Sequence, residues 1–445
     1  FSPHSQFGRS SIDLADATFS NQSNVRFRIE FSSDGSSTRE GVAFDNILIE
    51  ADPTTALSDP SVAPANLTTN LRLWLKTNTG IVATDGTKLT SWEDQAFDSA
   101  LDRDDASAES SIAPTYRDNA TRNINFNPVA DFDHNNVEYM NGKGGYYAKE
   151  YFVVMRSDDE VDTATGSISP GRQFGIGGRY SDDAFHEDPT GLGMGSSTSR
   201  YSNEIIAHNV SSFPNGGAPN AESWGRAYTT TTDTYENHPL IINVKTNAAA
   251  TSTEIYKNGK RIDNTNASTS FGGGTDLNFN EFSNLQYIIG AGRSGLAGRS
   301  TSQMNGMITE IISYTSPNSA INQQKIHSYL AIKYGTTLQD AASALTDHKL
   351  NDVDYIDSAG NVIWDTSANA GYNYDVAGIG RDDDSQLNQK QSKSQNDESD
   401  GVDAYGPTKT NGFLTIGLSN LYDTNNQNIS TNPTTFNDGQ FLMWG

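Results

Sequence analysis

Residues 304–314 form the segment that most restricts what this chain can fold into. Within it, Ile308, Glu310 and Ile312 alternate with residues that are also partly apolar. Successive side chains of a strand point to opposite faces, so both faces of this strand would be partly apolar, as in a strand inside a β-sandwich. The segment therefore predicts a strand packed on both sides, with Ile308, Glu310 and Ile312 sharing one face.

A helix is predicted directly after this strand. Residues 318–335 start with a capping candidate, Asn318 or Ser319, and end at Gly335, which can adopt the left-handed conformation that terminates helices. The side chains at helical spacing between these ends are Ile326, Tyr329, Leu330, Lys333 and Tyr334. This spacing predicts an amphipathic helix that packs on a β-domain.

The composition favours short strands over helices. Hydrophobic residues make up 34% of the 445 residues, and 39 residues are glycine. The formal net charge is −25, which excludes nucleic acid as a partner, because phosphate binding needs clustered Lys and Arg. Cysteine is absent, so neither disulfides nor thiolate metal sites contribute to stability. No apolar run approaches the length of a membrane-spanning helix.

Changes in composition divide the chain into four predicted regions. Residues 51–66 contain three prolines and few large apolar residues, which predicts a linker. Residues 1–50 hold two alternating strands, which predicts the C-terminal part of a β-domain whose other strands lie upstream. Residues 67–345 hold the central sandwich with its helix, and residues 346–445 hold a following, truncated β-module. We therefore expect the chain to be a fragment of a longer protein.

The last region carries strand signals of its own. A hairpin is predicted where residues 355–356 and 362–364 flank turn residues that include Gly360. Further strands are predicted over residues 376–379, 413–418 and 441–444, and an exposed loop over residues 385–407.

Several of these segments carry a resemblance to a known family. The run GMITEIISYTSPNSAINQQKIHSYLAIKYGTTL, together with LRLWLKTNTGI, YFVVMRS and IYKNGKRID, resembles concanavalin A-like (laminin-G-like) sandwiches of very large secreted surface proteins of Bacteroidota. The resemblance spans residues 67–338, and the sequence after it is similar to the β-module that usually follows this sandwich. The segment GVAFDNILIE resembles the last strand of jelly-roll domains of the MAM type.

This resemblance implies an antiparallel β-sandwich of the concanavalin A-like, jelly-roll class with a C-terminal helix, flanked by partial β-domains. The family supplies adhesins and cell-surface filaments that are exported by the type IX secretion system. An extracellular location at the cell surface is therefore the expectation, with a binding or structural role. The resemblance names no ligand.

An enzyme is not expected from the sequence. Glycoside hydrolases of this fold carry two catalytic glutamates on one strand as E-x-D-x-E, because alternation points both to the same face. Glu50 with Asp52, and Glu160 with Asp162, supply only the first half of that pattern. The histidines show no H-E-x-x-H spacing, and His327 on the helix is expected to serve packing or to lie at the surface.

Calcium is the cofactor that the residues suggest. This ion takes six to eight hard oxygen ligands, which loops rich in acidic residues supply. The candidate ligands are Asp158, Asp159, Asp162, Asp182, Asp183 and Asp188. None of these clusters matches the EF-hand pattern, and the alternative is that each is a solvated acidic loop.

Glycans are the second candidate ligand. Sandwiches of this class recognise ligands through edge loops or a concave face, where aromatic rings stack on sugars. The candidate rings, all in or beside polar segments, are Trp92, Tyr180, Tyr201 and Trp224. The alternative is that these are scattered exposed aromatics without a ligand. Trp74, in an apolar strand, is expected in the core.

The sequence therefore predicts a non-catalytic adhesion or structural segment that contacts other cells, surfaces or glycans. Like chains could also assemble side by side into a fibre or stalk. The alternative is a carbohydrate-binding accessory region of a secreted polysaccharide-degrading enzyme. A glycan array would distinguish a sugar-binding module from a purely structural one.

Overall fold

The computed structural model of this protein describes 14 segments of the chain. They are residues 61–97, 103–136, 138–145, 149–158, 173–179, 190–194, 205–208, 224–227, 239–246, 253–261, 286–290, 304–339, 351–396 and 414–445. The chain divides into two compact units, Phe1–Leu57 and Ser58–Gly445. The first unit, with the two predicted N-terminal strands, lies outside the described residues. The central sandwich and the C-terminal module both belong to the second unit.

Twenty-three strands and two α-helices make up the described architecture. The first 16 strands are β1 (Leu71–Lys76), β2 (Ser91–Trp92), β3 (Ala106–Ser107), β4 (Thr115–Arg117), β5 (Val129–Phe132), β6 (Met140–Gly145), β7 (Glu150–Ser157), β8 (Gln173–Arg179), β9 (Thr190–Met194), β10 (Ile205–His208), β11 (Trp224–Ala227), β12 (Leu240–Thr246), β13 (Thr253–Lys257), β14 (Lys260–Arg261), β15 (Gln286–Ile289) and β16 (Gly306–Tyr314). They are followed by α1 (Ala320–Tyr334), β17 (Tyr355–Ile356), β18 (Val362–Trp364), β19 (Ala377–Asp382), β20 (Leu387–Gln389), β21 (Gln391–Ser392), β22 (Ile416–Gly417), α2 (Asn425–Thr431) and β23 (Gln440–Trp444). Short 3-10 helices include Pro64–Asn66, His134–Asn136 and Asp383–Ser385.

The first 16 strands form two antiparallel sheets of eight strands each. Sheet A has the order β14-β13-β12-β7-β16-β5-β4, and β1 pairs with β16 beside β5. Sheet B has the order β11-β10-β9-β8-β15-β6-β3-β2. The prediction of a mainly β chain built on an antiparallel sandwich is therefore confirmed.

The hydrophobic core lies between the two sheets. Sheet A contributes Leu73, Leu75, Val153, Met155, Ile242, Val244, Ile308 and Ile311, and sheet B contributes Trp92, Ala106, Met140, Tyr287 and Ile289. Burial of each large apolar side chain stabilises the fold by about 1.5–3 kcal/mol. This packing explains why strands of both sheets carry alternating apolar residues.

An irregularity in β16 changes the predicted faces of this strand. The register of β16 against β7 shifts between Ile308 and Glu310. Ile308 therefore joins Ile311 in the core between the sheets, and Glu310 points to the opposite face of sheet A. The prediction that Ile308 shares a face with Glu310 is wrong, because a bulge breaks the two-residue alternation.

Helix α1 covers that opposite face of sheet A. Its ends are as predicted, since the Ser319 hydroxyl accepts a hydrogen bond from the Asn322 amide at 3.4 Å and Gly335 is left-handed with φ of 66°. Its buried residues run from Gln323 to Tyr334 and occupy several sides of the helix. A helix on the surface of a single domain would leave one side in water, so a second layer must cover α1.

The C-terminal module supplies that second layer. The predicted hairpin is present as β17 and β18, and β19 pairs with β20 and β23. The exposed loop predicted over residues 385–407 is wrong for its first part, where β20 and β21 form and the side chains from Gln389 to Ser392 are buried. Their polar composition suggested a loop, but the polar groups form hydrogen bonds inside the module and with Asn125 and Asn127 of the sandwich.

Candidate functional site

The C-terminal half of α1 encloses a carboxylate. Glu310 on β16 is 0% exposed. Its Oε1 accepts hydrogen bonds from Trp74 Nε1 at 2.6 Å and from the Tyr329 hydroxyl at 2.9 Å. Its Oε2 accepts from Lys333 Nζ at 2.7 Å and from the Tyr334 hydroxyl at 2.6 Å. Four donors thus surround one buried carboxylate, as the removal of a charge from water requires.

The buried charges in this cluster perturb one another. Burial lowers the pKa of Lys333, and the charge of Glu310 opposes that change. Burial alone would raise the pKa of Glu310, but the charge of Lys333 and the surrounding donors outweigh it, and the pKa is lowered. Lys76 lies over the Trp74 ring with Nζ 3.8 Å from its centroid. Burial, with the charge of Lys333, lowers the pKa of Lys76 to about 7.

A second buried carboxylate lies at the start of α1. Glu150 accepts a hydrogen bond from the Asn318 backbone amide at 2.5 Å and another from Asn243 Nδ2 at 3.1 Å. Burial raises the pKa of Glu150 to about 7. Gln323 on the helix donates to Asn243 and accepts from Lys245 Nζ at 2.8 Å. These contacts fix the N-terminal turn of α1 on strands β7 and β12.

His327 lies between these two clusters as a packing residue. It is 4% exposed, and its ring meets that of Phe152 edge-on with centroids 5.4 Å apart. Burial, together with the charge of Lys245, lowers the pKa of His327 to about 3, so the ring is neutral at physiological pH. The sequence predicts that His327 either packs inside the protein or lies at its surface, and in the structure it packs inside.

Buried amides hold the end of α1. Asn127 Nδ2 donates to the Lys333 carbonyl at 2.7 Å and to Gln389 Oε1 at 3.2 Å, and Asn125 Nδ2 donates to the same carbonyl at 3.0 Å. Asn125 Nδ2 also donates to Ser392 Oγ at 2.9 Å. The last carbonyls of a helix lack partners within the helix, so these amides satisfy them while connecting the sandwich to the C-terminal module.

The other side of α1 binds the hairpin of β17 and β18. Gln324 Nε2 donates to the Asp354 carbonyl at 2.9 Å, and Lys325 Nζ donates to the Ser358 carbonyl at 2.7 Å. The Ser328 hydroxyl accepts a hydrogen bond from the Ile356 amide at 3.1 Å. Helix α1 therefore lies between two layers and is hydrogen-bonded to both.

We call this arrangement the junction, defined by Glu310, Lys333, Glu150, Asn125 and Asn127. Sequence reasoning placed Glu310 and Lys333 on the right elements but did not pair them. The signal was present, since a glutamate inside an apolar strand and a lysine within the apolar stripe of the following helix each need a buried partner. The two asparagines gave no comparable signal, because asparagine is abundant throughout the chain.

Only one of the six predicted calcium ligands lies in the described segments. Asp158 forms ion pairs with Arg122 and, at 3.7 Å, with Arg156. The remaining five aspartates, Asp159, Asp162, Asp182, Asp183 and Asp188, lie outside the described residues. Within the described segments, no group of three or more acidic or histidine side chains could hold a metal ion.

Among the four predicted glycan-stacking rings, Trp92 is the one whose side chain the structure describes. Trp92 on β2 is 0% exposed and belongs to the core between the sheets, so its predicted role in stacking is wrong. The alternation of β2 directs this ring inward, although its neighbours are polar. Trp224 lies on β11, and Tyr180 and Tyr201 fall outside the described residues. Trp74 is buried as expected.

Comparison with known proteins identifies one family match. Residues 322–445, from the first turn of α1 to Gly445, match a domain of unknown function (DUF8202). Among curated proteins, none matches the chain. The matched region begins inside the helix, so it includes most of α1 together with the C-terminal module.

Solved structures similar to this chain include sialidase chains and a carbohydrate-binding module. Trypanosoma rangeli sialidase is 12% identical with a TM-score of 0.29, and the match covers 59% of this chain and 33% of that chain. Ruminococcus gnavus IT-sialidase CBM40 is 9% identical with a TM-score of 0.26, covering 40% of this chain and 82% of that chain. The same module bound to α2,3 sialyllactose is 9% identical with a TM-score of 0.26, covering 38% and 76%.

These matches correct one prediction. Sialidases are enzymes, so the prediction that the chain is not an enzyme is contradicted and is withdrawn. The correction assigns no activity, because the match spans only 33% of the sialidase chain at 12% identity. Neither helix in the described part of the chain is long and apolar enough to cross a membrane.

Proposed function

We propose that this chain is a structural and contact-mediating segment of an extracellular surface adhesin or appendage, in which the sandwich and the C-terminal module act as one rigid unit. The observation that carries the proposal is the burial of α1 between them, with hydrogen bonds to both layers. A flexible linker between two β-modules would let each move alone. The junction instead transmits a displacement of one module to the other.

The chemistry of the junction supports a rigid role. Its buried amides are satisfied only when both layers are in place, because separation would take Gln389 away from Asn127 and Ser392 away from Asn125. Directional polar contacts also select one docking geometry over others. Resistance to relative motion is what a segment that bears load between a cell and a surface requires.

The wider setting of the proposal comes from the sequence. A net charge of −25 suits a surface-exposed segment, and the resemblance to proteins exported by the type IX system suits an extracellular location. Contact with glycans, calcium binding by the acidic loops and assembly of like chains into a fibre are parts of the same proposal.

Unfolding of the full chain tests the rigid unit. Denaturant unfolding is followed by hydrogen exchange with mass spectrometry, comparing peptides from β7 and β12 with peptides from β19 and β23. We expect both sets to lose protection at one denaturant concentration, because the junction couples them. Separate transitions would show two independent modules and would overturn the proposal.

Ligand contact is tested on a glycan array with the full chain, in calcium and again in chelator. Binding that is retained on whole cells and on several glycans supports an adhesin. Binding to one polysaccharide class, together with a hydrolase domain in the parent reading frame, would favour the accessory region of a secreted enzyme. Absence of binding to glycans, cells and surfaces alike would refute the contact role.

A further inference from the structure

The cluster around Glu310 contains a third reactive group. Asn78 lies just beyond β1, and its Oδ1 accepts a hydrogen bond from Lys333 Nζ at 3.3 Å. The same Nζ is 2.7 Å from Glu310 Oε2. The amine of Lys333 therefore contacts both a carboxyl group and a side-chain amide, although Lys333 and Asn78 are 255 residues apart in sequence.

We propose that Lys333 and Asn78 become joined by an isopeptide bond between Nζ and Cγ, with Glu310 as the general acid and base. The lone pair of Nζ attacks Cγ of Asn78. The carboxyl of Glu310 gives a proton to the amide nitrogen and takes one from Nζ, so it ends unchanged. The bond from Cγ to the original nitrogen breaks, and ammonia leaves. No oxidant, metal or cofactor is needed, because amide and amine exchange without a change of oxidation state.

Burial makes the neutral amine that this step requires easier to reach than it is for a lysine in water. Lys333 is 2% exposed and lies near the Tyr329 and Tyr334 rings, with Nζ 5.4 and 5.2 Å from their centroids. The ion pair and its neutral form differ only by one proton moved between Nζ and Oε2, and removal from water disfavours the charged form. Burial also lowers the pKa of Lys333.

The backbone holds Asn78 in position for the reaction. The Thr77 amide donates to the Thr309 carbonyl at 3.1 Å, and the Thr77 hydroxyl donates to the Pro128 carbonyl at 2.5 Å. These contacts fix the residue before Asn78 against the residue before Glu310. Fixed geometry of this kind replaces an encounter between amine and amide and raises the rate of an otherwise slow exchange. Asn78 is itself partly exposed, which leaves an exit for ammonia.

A neighbouring pair provides a contrast. Lys76 Nζ donates a hydrogen bond to Gln386 Oε1, so here too a lysine amine contacts a side-chain amide. Its surroundings differ, because in the described structure the carboxyl of Glu310 is hydrogen-bonded to Lys333. The geometry therefore assigns the bond to Lys333 and Asn78, and the site of any cross-link distinguishes the two pairs.

Mass spectrometry of the denatured full chain tests this proposal. We expect a mass lower than that of the sequence by one ammonia molecule, and a proteolytic product in which the peptide of Asn78 is joined to that of Lys333. Asn78→Ala is expected to restore the full mass. The control Asn66→Ala, which removes a surface hydrogen bond to Asp384, keeps the deficit.

Two further variants separate the reaction from folding. Asn78→Asp keeps the shape of the site and is expected to lose water in place of ammonia. Glu310→Gln removes the acid and base and is expected to abolish the deficit in protein that still folds by circular dichroism. Wild-type protein with the full sequence mass would overturn the proposal. A deficit that survives Asn78→Ala, or a cross-link found at Lys76, would overturn it equally.

Discussion

The carboxylate of Glu310 shows what a single buried charge does in this protein. It is 0% exposed and has four hydrogen-bond donors. Because Lys333 is 2% exposed, removal of Glu310 would leave an ammonium ion in the interior without a counter-charge. The pair is therefore required for the packing of α1, even though an apolar pair of the same size could be as stable.

Glu310→Gln is the direct test at the scale of a residue. In the Asn78→Ala background, where Lys333 keeps its charge, we expect Glu310→Gln to lower the free energy of unfolding by about 3–5 kcal/mol, because that charge loses its partner. The control is Asp383→Ala, which breaks the exposed pair of Arg381 Nε with Asp383 Oδ1 at 2.6 Å and is expected to cost at most about 1 kcal/mol. Urea denaturation measures both, and equal losses would contradict the assignment.

Glu150 gives the protein a pH-dependent stability. Burial raises its pKa from 4.5 to about 7 in the folded state. Below pH 4.5 the folded and the unfolded chain both hold the proton of Glu150, and the stabilisation that this group contributes is complete. Between the two values the unfolded state has released the proton and the folded state retains it, so the free energy of unfolding falls as pH rises.

Glu150→Gln is expected to remove this dependence. Over the interval from 4.5 to about 7, the wild-type chain should lose on the order of 3 kcal/mol more than the variant. Denaturant unfolding at several pH values measures the difference, in which the contributions of all other groups cancel. Glu109→Gln, at an exposed position, is the matched control and should follow the wild-type profile. A variant profile parallel to that of the wild type would exclude this role.

At the scale of elements, the end of α1 depends on one glycine. Gly335 has φ of 66°, and a Cβ atom there would lie 2.3 Å from the Lys393 carbonyl oxygen in the C-terminal module. An alanine would therefore be strained by its backbone and would also push the module away from the helix. The Gly335 carbonyl accepts a hydrogen bond from the Gln395 amide at 2.8 Å, which ties the two elements together.

Gly335→Ala is expected to destabilise the chain more than Gly371→Ala does. Gly371 has φ of 94°, but a Cβ atom added there would meet nothing within 4 Å, so this position reports the backbone cost alone. That cost is about 1 kcal/mol, and the steric contact at Gly335 should add to it. Thermal unfolding monitored by circular dichroism compares the two variants. Equal shifts in Tm would show that a Cβ atom at Gly335 makes no unfavourable steric contact with the C-terminal module.

How far the sequence predicts these elements depends on the range of the contacts. The limits of α1 follow from Ser319 and Gly335, which act on their own helix ends, and the alternation of β16 locates a buried strand. The face of Ile308 does not follow, because the bulge beside it depends on pairing with β7. The buried polar strands β20 and β21 resemble a loop in sequence, since their amides are satisfied by residues as distant as Asn125.

At the scale of the whole molecule, the junction makes one unit from two predicted regions. The boundary predicted near residue 345 separates regions of different composition, yet α1 contributes both to the sandwich contacts and to the matched region that extends to Gly445. Composition reports where polar residues are frequent. It does not report whether their polar groups face water or one another.

Asn127→Ala tests this coupling. Asn127 is 1% exposed, and its amide joins the Lys333 carbonyl to Gln389, so its loss leaves buried groups unsatisfied at a cost of about 1–3 kcal/mol. Because that cost falls on the contact between the modules, we expect hydrogen exchange of β19 and β23 to separate from that of β7 and β12. The control Asn426→Ala removes a partly exposed contact with Asp118 at the same interface and should leave the transitions together. A destabilised Asn127→Ala chain that still unfolds in one transition would show that the modules are coupled elsewhere.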